Sequence, residues 1–307
     1  LLHTFLITLY EVFVPIALPL IAGAALARFR SMETRPLTTL ALYVLSPAII
    51  YHTLANAAIS YADVRDSVLF SLSNLLVLWL LAISASRLLR LDRSEQAGLT
   101  LVVAFTNSVN YGLPLVLLAF GQLGLDKASV YVVTQMIIVN TVGILFAARS
   151  HFNWKQAGLS VLRLPSIYAA LAAMLVRGAD WPLPSALQEG ISLIAAAYSP
   201  VVLVILGAQM LHVYRAPRAE QMDRAFWAGM GIRLLISPAA AFAILLLLNV
   251  EDTLFRVLLI LASMPTAVNA VLLAEQFDAS PRLVSRCILW TTLLSFILLP
   301  LFISWLA

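Results

Sequence analysis

Charge is what this sequence has least of. Asp, Glu, Lys and Arg make up only 11% of its 307 residues, and 62% are hydrophobic. A soluble domain carries about a quarter charged residues, so a water-soluble fold is excluded. The chain reads as an all-α polytopic membrane protein. Cysteine is nearly absent: Cys287 stands alone in an apolar run, and no disulfide can form within the chain. His3, His52, His151 and His212 are scattered, so no Cys/His metal cluster exists and neither metal nor other cofactor is expected. The formal charge of +4 does not signal nucleic acid, because the basic residues flank apolar runs instead of forming a patch or arm. No Walker motif offers ATP hydrolysis as a drive. An intramembrane enzyme would need a nucleophile–base pair or a His-Glu-x-x-His metal set, and the chain has neither.

What is present is a succession of apolar segments. Ten spans are predicted, at about 4–27, 36–56, 66–88, 96–121, 126–148, 161–177, 187–213, 223–249, 253–276 and 283–306. Each approaches the roughly 20 residues that cross a bilayer, the sixth being short. The first run has no basic leader and continues into further spans, so it reads as a retained helix and not as a signal peptide. Connections are short, without Ser/Gly linkers, and leave no soluble domain to carry chemistry. The odd-numbered connections hold 14 of the 19 basic residues, the even-numbered ones 4 (Arg65, Lys127, Arg177 and Arg256), and Arg233 lies within the eighth span. Cytoplasmic loops carry the basic excess. Both termini are therefore expected on the outer, periplasmic side of a plasma membrane, the inner membrane if the cell is bacterial.

Ten is twice five, and the halves echo each other. Ser46-Pro47 in the second span has a counterpart in Ser199-Pro200 of the seventh. Ser108-Val109-Asn110 in the fourth has one in Ala267-Val268-Asn269 of the ninth. Five crossings per half put the halves in opposite orientations, the inverted-repeat design in which two broken helices meet at the midplane. The expected domains are residues 1–149 and 158–307.

The clearest break lies in the fourth span. Residues 96–125 carry no Asp, Glu, Lys or Arg, yet their centre holds Thr106, Asn107, Ser108, Asn110, Gly112 and Pro114. Pro114 cannot donate a helical hydrogen bond, and Gly112 tolerates dihedrals that other residues avoid. Backbone freed at that depth must be buried in protein or line a cavity. A helix broken at its midpoint, building a binding site, is predicted there.

These residues carry a resemblance. Asn107-Ser-Val-Asn-Tyr-Gly-Leu-Pro-Leu115 with Phe120-Gly121 resembles the fourth-helix signature of the auxin efflux carrier family. Pro200 with Leu206-Gly-Ala-Gln-Met-Leu211, Pro265 with Ala274-Glu-Gln-Phe-Asp278, and the run Thr291 to Pro300 extend the likeness along the chain. The resemblance implies ten helices in two inverted five-helix repeats. Spans 1, 2, 6 and 7 would form a scaffold, and spans 3–5 and 8–10 a transport domain in which the fourth and ninth cross. It also implies small carboxylates such as malonate or malate as substrates of bacterial members, and auxin for plant members. The family's usual Gly-Asn-x-Gly-Asn is modified here, because Thr106 and Val109 stand in place of its glycines, which predicts a tighter break. The long fifth-to-sixth loop of the plant exporters is missing.

Asn110 and Asn269 are the leading substrate-binding candidates, since an amide in hydrocarbon needs partners and each adjoins a proline-containing break. Asn107, Thr106, Tyr111, Gly112, Pro114, Pro265 and Thr266 complete the set. Half-helix N-termini would favour a carboxylate without a dedicated cation. Glu11, Asn74, Gln135, Asn140 and Arg233 are candidates for coupling or lining, as polar groups at membrane depth. Helix-to-helix hydrogen bonding is the alternative for the amides, and snorkelling for Glu11. For Arg233, a substrate carboxylate, snorkelling and a pair with Glu275 remain open. The expected partners are a small organic anion, the bilayer, and a proton or sodium ion for coupling; the residues leave a homodimer open. The expected activity is export of a mono- or dicarboxylate by alternating access. A sodium-coupled carrier of the bile-acid type and a ligand receptor that does not transport are the rivals. The crossing offers asparagines but no Asp for a sodium site.

Overall fold

Prolines shape the helices of this protein. The computed structural model describes residues 2–30, 32–56, 59–148, 162–179, 181, 183–215 and 224–306, and these are helical apart from short connections. Their helices are α1 (residues 2–29), α2 (Thr34–Asn56), α3 (Tyr61–Leu88), α4a (Arg93–Ala104) and α4b (residues 108–120). There follow α5 (residues 122–148), α6 (Pro165–Gly178), α7 (residues 185–215), α8 (Arg224–Leu247), α9a (Asp252–Ala262), α9b (Ala270–Gln276) and α10 (Pro281–Leu306). Arg149, Lys155 and Arg218, which carry part of the loop-charge pattern, lie outside the described residues.

Four π-helical turns, Leu9–Phe13, Ala41–Leu45, Ser108–Gly112 and Ile232–Ile236, each end two residues before a proline: Pro15, Pro47, Pro114 and Pro238. Proline removes the donor for the carbonyl four residues back and crowds it. The wider turn relieves that clash. A fifth π turn, Val139–Gly143, has no proline after it and ends at a glycine.

Among the described residues, seven stretches are long and apolar enough to span a membrane, and Pro165–Gly178 is a shorter apolar helix. One of the seven, Ser108–Ala147, has 40 residues. At 1.5 Å per residue that is about 60 Å, twice the hydrocarbon thickness. It divides at Gly121, whose φ of 66° and ψ of −161° turn the chain between α4b and α5. This is where positive φ makes glycine necessary. Gly112, by contrast, has ordinary helical angles (φ −67°, ψ −45°). Its role is close approach, since a Cβ there would lie 2.7 Å from Leu261 Cδ2. The expectation of unusual dihedrals at Gly112 is thereby corrected.

α3 begins earlier than predicted. Ser60 caps it by accepting from Asp63 N (3.1 Å), while Ser60 N donates to the Asp63 carboxylate (2.7 Å). This reciprocal cap lets the helix start ahead of the charged pair Arg65–Asp66. Lys127 Nζ donates to the same carboxylate at 2.5 Å, joining the start of α3 to α5. α4a starts with a second reciprocal cap, Asp92 with Glu95. Ser94 ties that end to the α9b–α10 connection: its Oγ donates to Asp278 O (2.6 Å) and accepts from Ser280 N (2.9 Å).

The helices pack through small residues, as membrane helices do. α1 and α7 touch backbone to backbone. A Cβ on Gly207 would sit 1.8 Å from Leu20 O, and one on Gly23 1.9 Å from Val204 O. α2 packs on α6 and α7, with Ser46 Oγ and Ser166 Oγ hydrogen-bonded at 3.0 Å. α4a packs on α3, α8 and α10, and α9a packs on α8. Phe13 of α1 meets Phe296 of α10 edge-on, with ring centroids 5.9 Å apart.

Candidate functional site

Two helices stop at the same place. α4a ends at Ala104 and α9a at Ala262, and the segments that follow pair with each other. Asn107 N donates to Pro265 O (2.8 Å) and Ala267 N to Phe105 O (2.9 Å), forming an antiparallel bridge between Thr106 and Thr266. Freed backbone inside a bilayer must find partners, and here each break supplies them to the other. The fourth-span break lies at Phe105–Asn107, upstream of Pro114, which sits in the following helix. Phe105 is extended (φ −111°, ψ 120°). A β-branched residue fits the bridge that follows without strain, so Thr106 needs no glycine. Neither Thr106 nor Val109 has a positive φ.

Several carbonyls of the two helix ends also find partners. Leu101 O accepts from Phe105 N (3.3 Å), Val102 O from Thr266 Oγ1 (3.2 Å) and Val103 O from Arg233 Nη1 (2.8 Å). At α9a, Leu259 O and Ile260 O accept from Ser263 N (3.0 Å each), and Ala262 O accepts from Arg233 Nη2. Thr291 Oγ1 of α10 accepts from Thr266 N (3.2 Å). Arg233 is fully buried, and Ser237 Oγ accepts a further bond from Nη2 (2.6 Å). Snorkelling is overturned, and the guanidinium spends these bonds on carbonyls and a hydroxyl, not on Glu275.

Asn110 and Asn269 line one narrow cavity of about 20 Å³, space for about one water. Its opposite wall comes from α2 and α7 and includes Thr38, Ser46, Tyr198 and Gln209. Tyr198 OH donates to Val109 O (3.3 Å), across from α7 to the first turn of α4b. Gln209 Oε1 is buried and has no partner among the described residues. The Asn107 side chain, at the start of α4b, is buried with its Nδ2 unpartnered.

The other candidates lie elsewhere in the helices. Tyr111 turns away into the core, stacking on Phe296 and receiving a long hydrogen bond from Ser295 Oγ (3.4 Å). Pro114 is buried in the first turn of the straight part of α4b. Asn74 and Gln135 are buried on α3 and α5, and Asn140 Nδ2 donates to Met136 O (2.9 Å). Glu11 is exposed on α1. None of these six lines the cavity. Tyr198 and Gln209 did not stand out in the sequence. The signal for Gln209 was an amide within the apolar run 200–211; for Tyr198 there was none, because a Tyr in a span reads as packing.

Spanning helices with two interrupted segments bridged beside a polar cavity define a polytopic membrane protein with a candidate site at the interruption. The chain belongs to the membrane transport protein family, that of the auxin efflux carriers, whose model matches residues 4–156 and 151–303. It is 31% identical over 212 residues to an uncharacterized transporter of Methanothermobacter thermautotrophicus, covering 69% of this chain and 68% of that one. It is 24% identical over 278 residues to an uncharacterized transporter of Methanocaldococcus jannaschii, covering 86% of this chain and 87% of that one.

Proposed function

We propose that this transporter exports a small organic anion, a mono- or dicarboxylate, by alternating access at the α4/α9 interruption. The observation that carries the reading is that Asn110 and Asn269, from the two interrupted segments, line the same cavity. The first N–H groups of α4b lack helical acceptors, and the unpartnered Asn107 Nδ2 adds a donor beside them. Donors without a competing acidic side chain suit a carboxylate. At 20 Å³ the cavity is too small for such a ligand, so binding requires α2 and α7 to separate from the interrupted segments. That is the motion expected if α1, α2, α6 and α7 are a scaffold and α3–α5 with α8–α10 a moving body. The proposed architecture is ten crossings in two inverted repeats, 1–149 and 158–307, with α4 and α9 crossing.

A thermal-shift screen of purified protein against small carboxylates, with and without sodium, tests the substrate class. Stabilisation by neutral or cationic compounds only would overturn it. Asn269→Ala and Pro265→Ala are expected to reduce transport at least tenfold at near-normal expression, because they alter the interruption and leave the α1–α7 packing alone. Wild-type flux in both variants would remove α9 from the site. The 14-to-4 charge split predicts both termini outside. A reporter fused after Ala307 that proves cytoplasmic would overturn the orientation.

A further inference from the structure

We infer that Arg233 is a built-in cation, its guanidinium filling a cation position between the carboxyl ends of α4a and α9a. A helix end carries the equivalent of about −0.5 charge. Two such ends meet here, so their sum is about −1, which one guanidinium balances. The carbonyls that converge on it, Val103 O in the last turn of α4a and Ala262 O at the end of α9a, have no helical donor. No carboxylate is among its hydrogen-bond partners, and the side chain has no exposure to solvent. A buried charge is costly unless compensated, and the compensation at this one comes from backbone dipoles. Arg stays protonated under ordinary conditions.

The local sequence of α8 is built to deliver it. Arg233 lies nine residues into the helix, about 14 Å from its start at 1.5 Å per residue. It sits within the π turn Ile232–Ile236, which ends two residues before Pro238. Ser237 supplies the hydroxyl that holds Nη2. The consequence is that the wild-type protein needs no free alkali cation at this point, and both interrupted helices are anchored to α8. Shielding the two negative ends leaves the positive end of α4b as the dominant dipole facing the cavity. The cation assignment does not rest on the anion reading, and its test uses no substrate.

Arg233→Ala would leave a carbonyl-lined space of cation size. In purified protein its Tm is expected to fall on the order of 10 °C. Guanidinium chloride at low millimolar concentration should restore part of that loss with a saturating dose dependence. Sodium chloride should restore some as well, compared with choline chloride at equal ionic strength. Wild type should show no such gain, and neither should Arg233→Met, where a neutral side chain fills the space. The inference is overturned if guanidinium rescues neither more nor earlier than choline. It is also overturned if Arg233→Met is rescued equally, or if wild type itself requires sodium for its full Tm. Should Arg233→Ala resist purification, Arg233→Lys and Arg233→Gln decide, read by fluorescence size exclusion from membranes. Lys should retain most of the folded peak and Gln should not, whereas equal peaks would mean that the charge is irrelevant.

Discussion

Asn110→Asp is expected to weaken binding of an anionic substrate by about a thousandfold, far more than Asn110→Ala. The Asp is nearly the same size as Asn but places a negative charge on the cavity wall that Asn110 shares with Asn269. At 4 Å and an effective dielectric of about 20, like charges repel by roughly 4 kcal/mol, and each 1.4 kcal/mol is about tenfold. Ala removes an amide without adding charge and should cost only about 1–3 kcal/mol. The comparison belongs well above pH 7, because protonation of the new Asp would blunt the difference. Calorimetric titration with the carboxylate found by the thermal-shift screen checks it. Equal affinities, or tighter binding by the Asp form, would mean that Asn110 does not face an anion.

The other large effect concerns the α1–α7 contact. Gly207→Ala is expected to lower Tm on the order of 10 °C, and Gly207→Val to abolish the folded peak. The added Cβ would lie 1.8 Å from Leu20 O, and a carbonyl in a helix backbone cannot rotate away. The two helices would have to part by more than 1 Å along their whole contact. Overpacking in a dense interior typically costs about 1–3 kcal/mol and sometimes more, and backbone on both sides puts this site at the upper end. Gly190→Ala on the same helix is the control. Nothing lies within 4 Å of a Cβ built there, and Ala exceeds Gly in helix propensity by about 1 kcal/mol, so its Tm should rise slightly. Equal responses of the two glycines would show that α1 and α7 are not in contact at Leu20.

Several elements were legible in the chain before any coordinates. The polar cluster 105–114 and Asn269 beside Pro265 pointed to the two interruptions, and both interruptions occur. Asn110 and Asn269 were singled out together and share a cavity. The proline positions were readable too, but their consequence was misjudged at Pro114: the break lies upstream of it, at Phe105–Asn107, and the proline widens the first turn of α4b. Gly112 was read for its dihedrals when its contribution is space beside Leu261. The role of Arg233 could not be read at all. Its partners, Val103 O and Ala262 O, are 130 and 29 residues away and belong to main chain, which leaves no mark in side-chain pattern.

By itself the sequence determined that the chain lives in a membrane, roughly where its apolar segments begin and end, and where two of them are interrupted. Those properties arise segment by segment, because a bilayer acts on each stretch of 20 residues through its own composition. Only the tertiary structure decided what the interruptions do. Thr106 meets Thr266, Arg233 closes two helix ends, and Tyr198 and Gln209 face the asparagines. The Thr106–Thr266 and Arg233 pairings satisfy backbone groups in a medium that offers no water, and all of these neighbours are chosen by packing, not by distance along the chain.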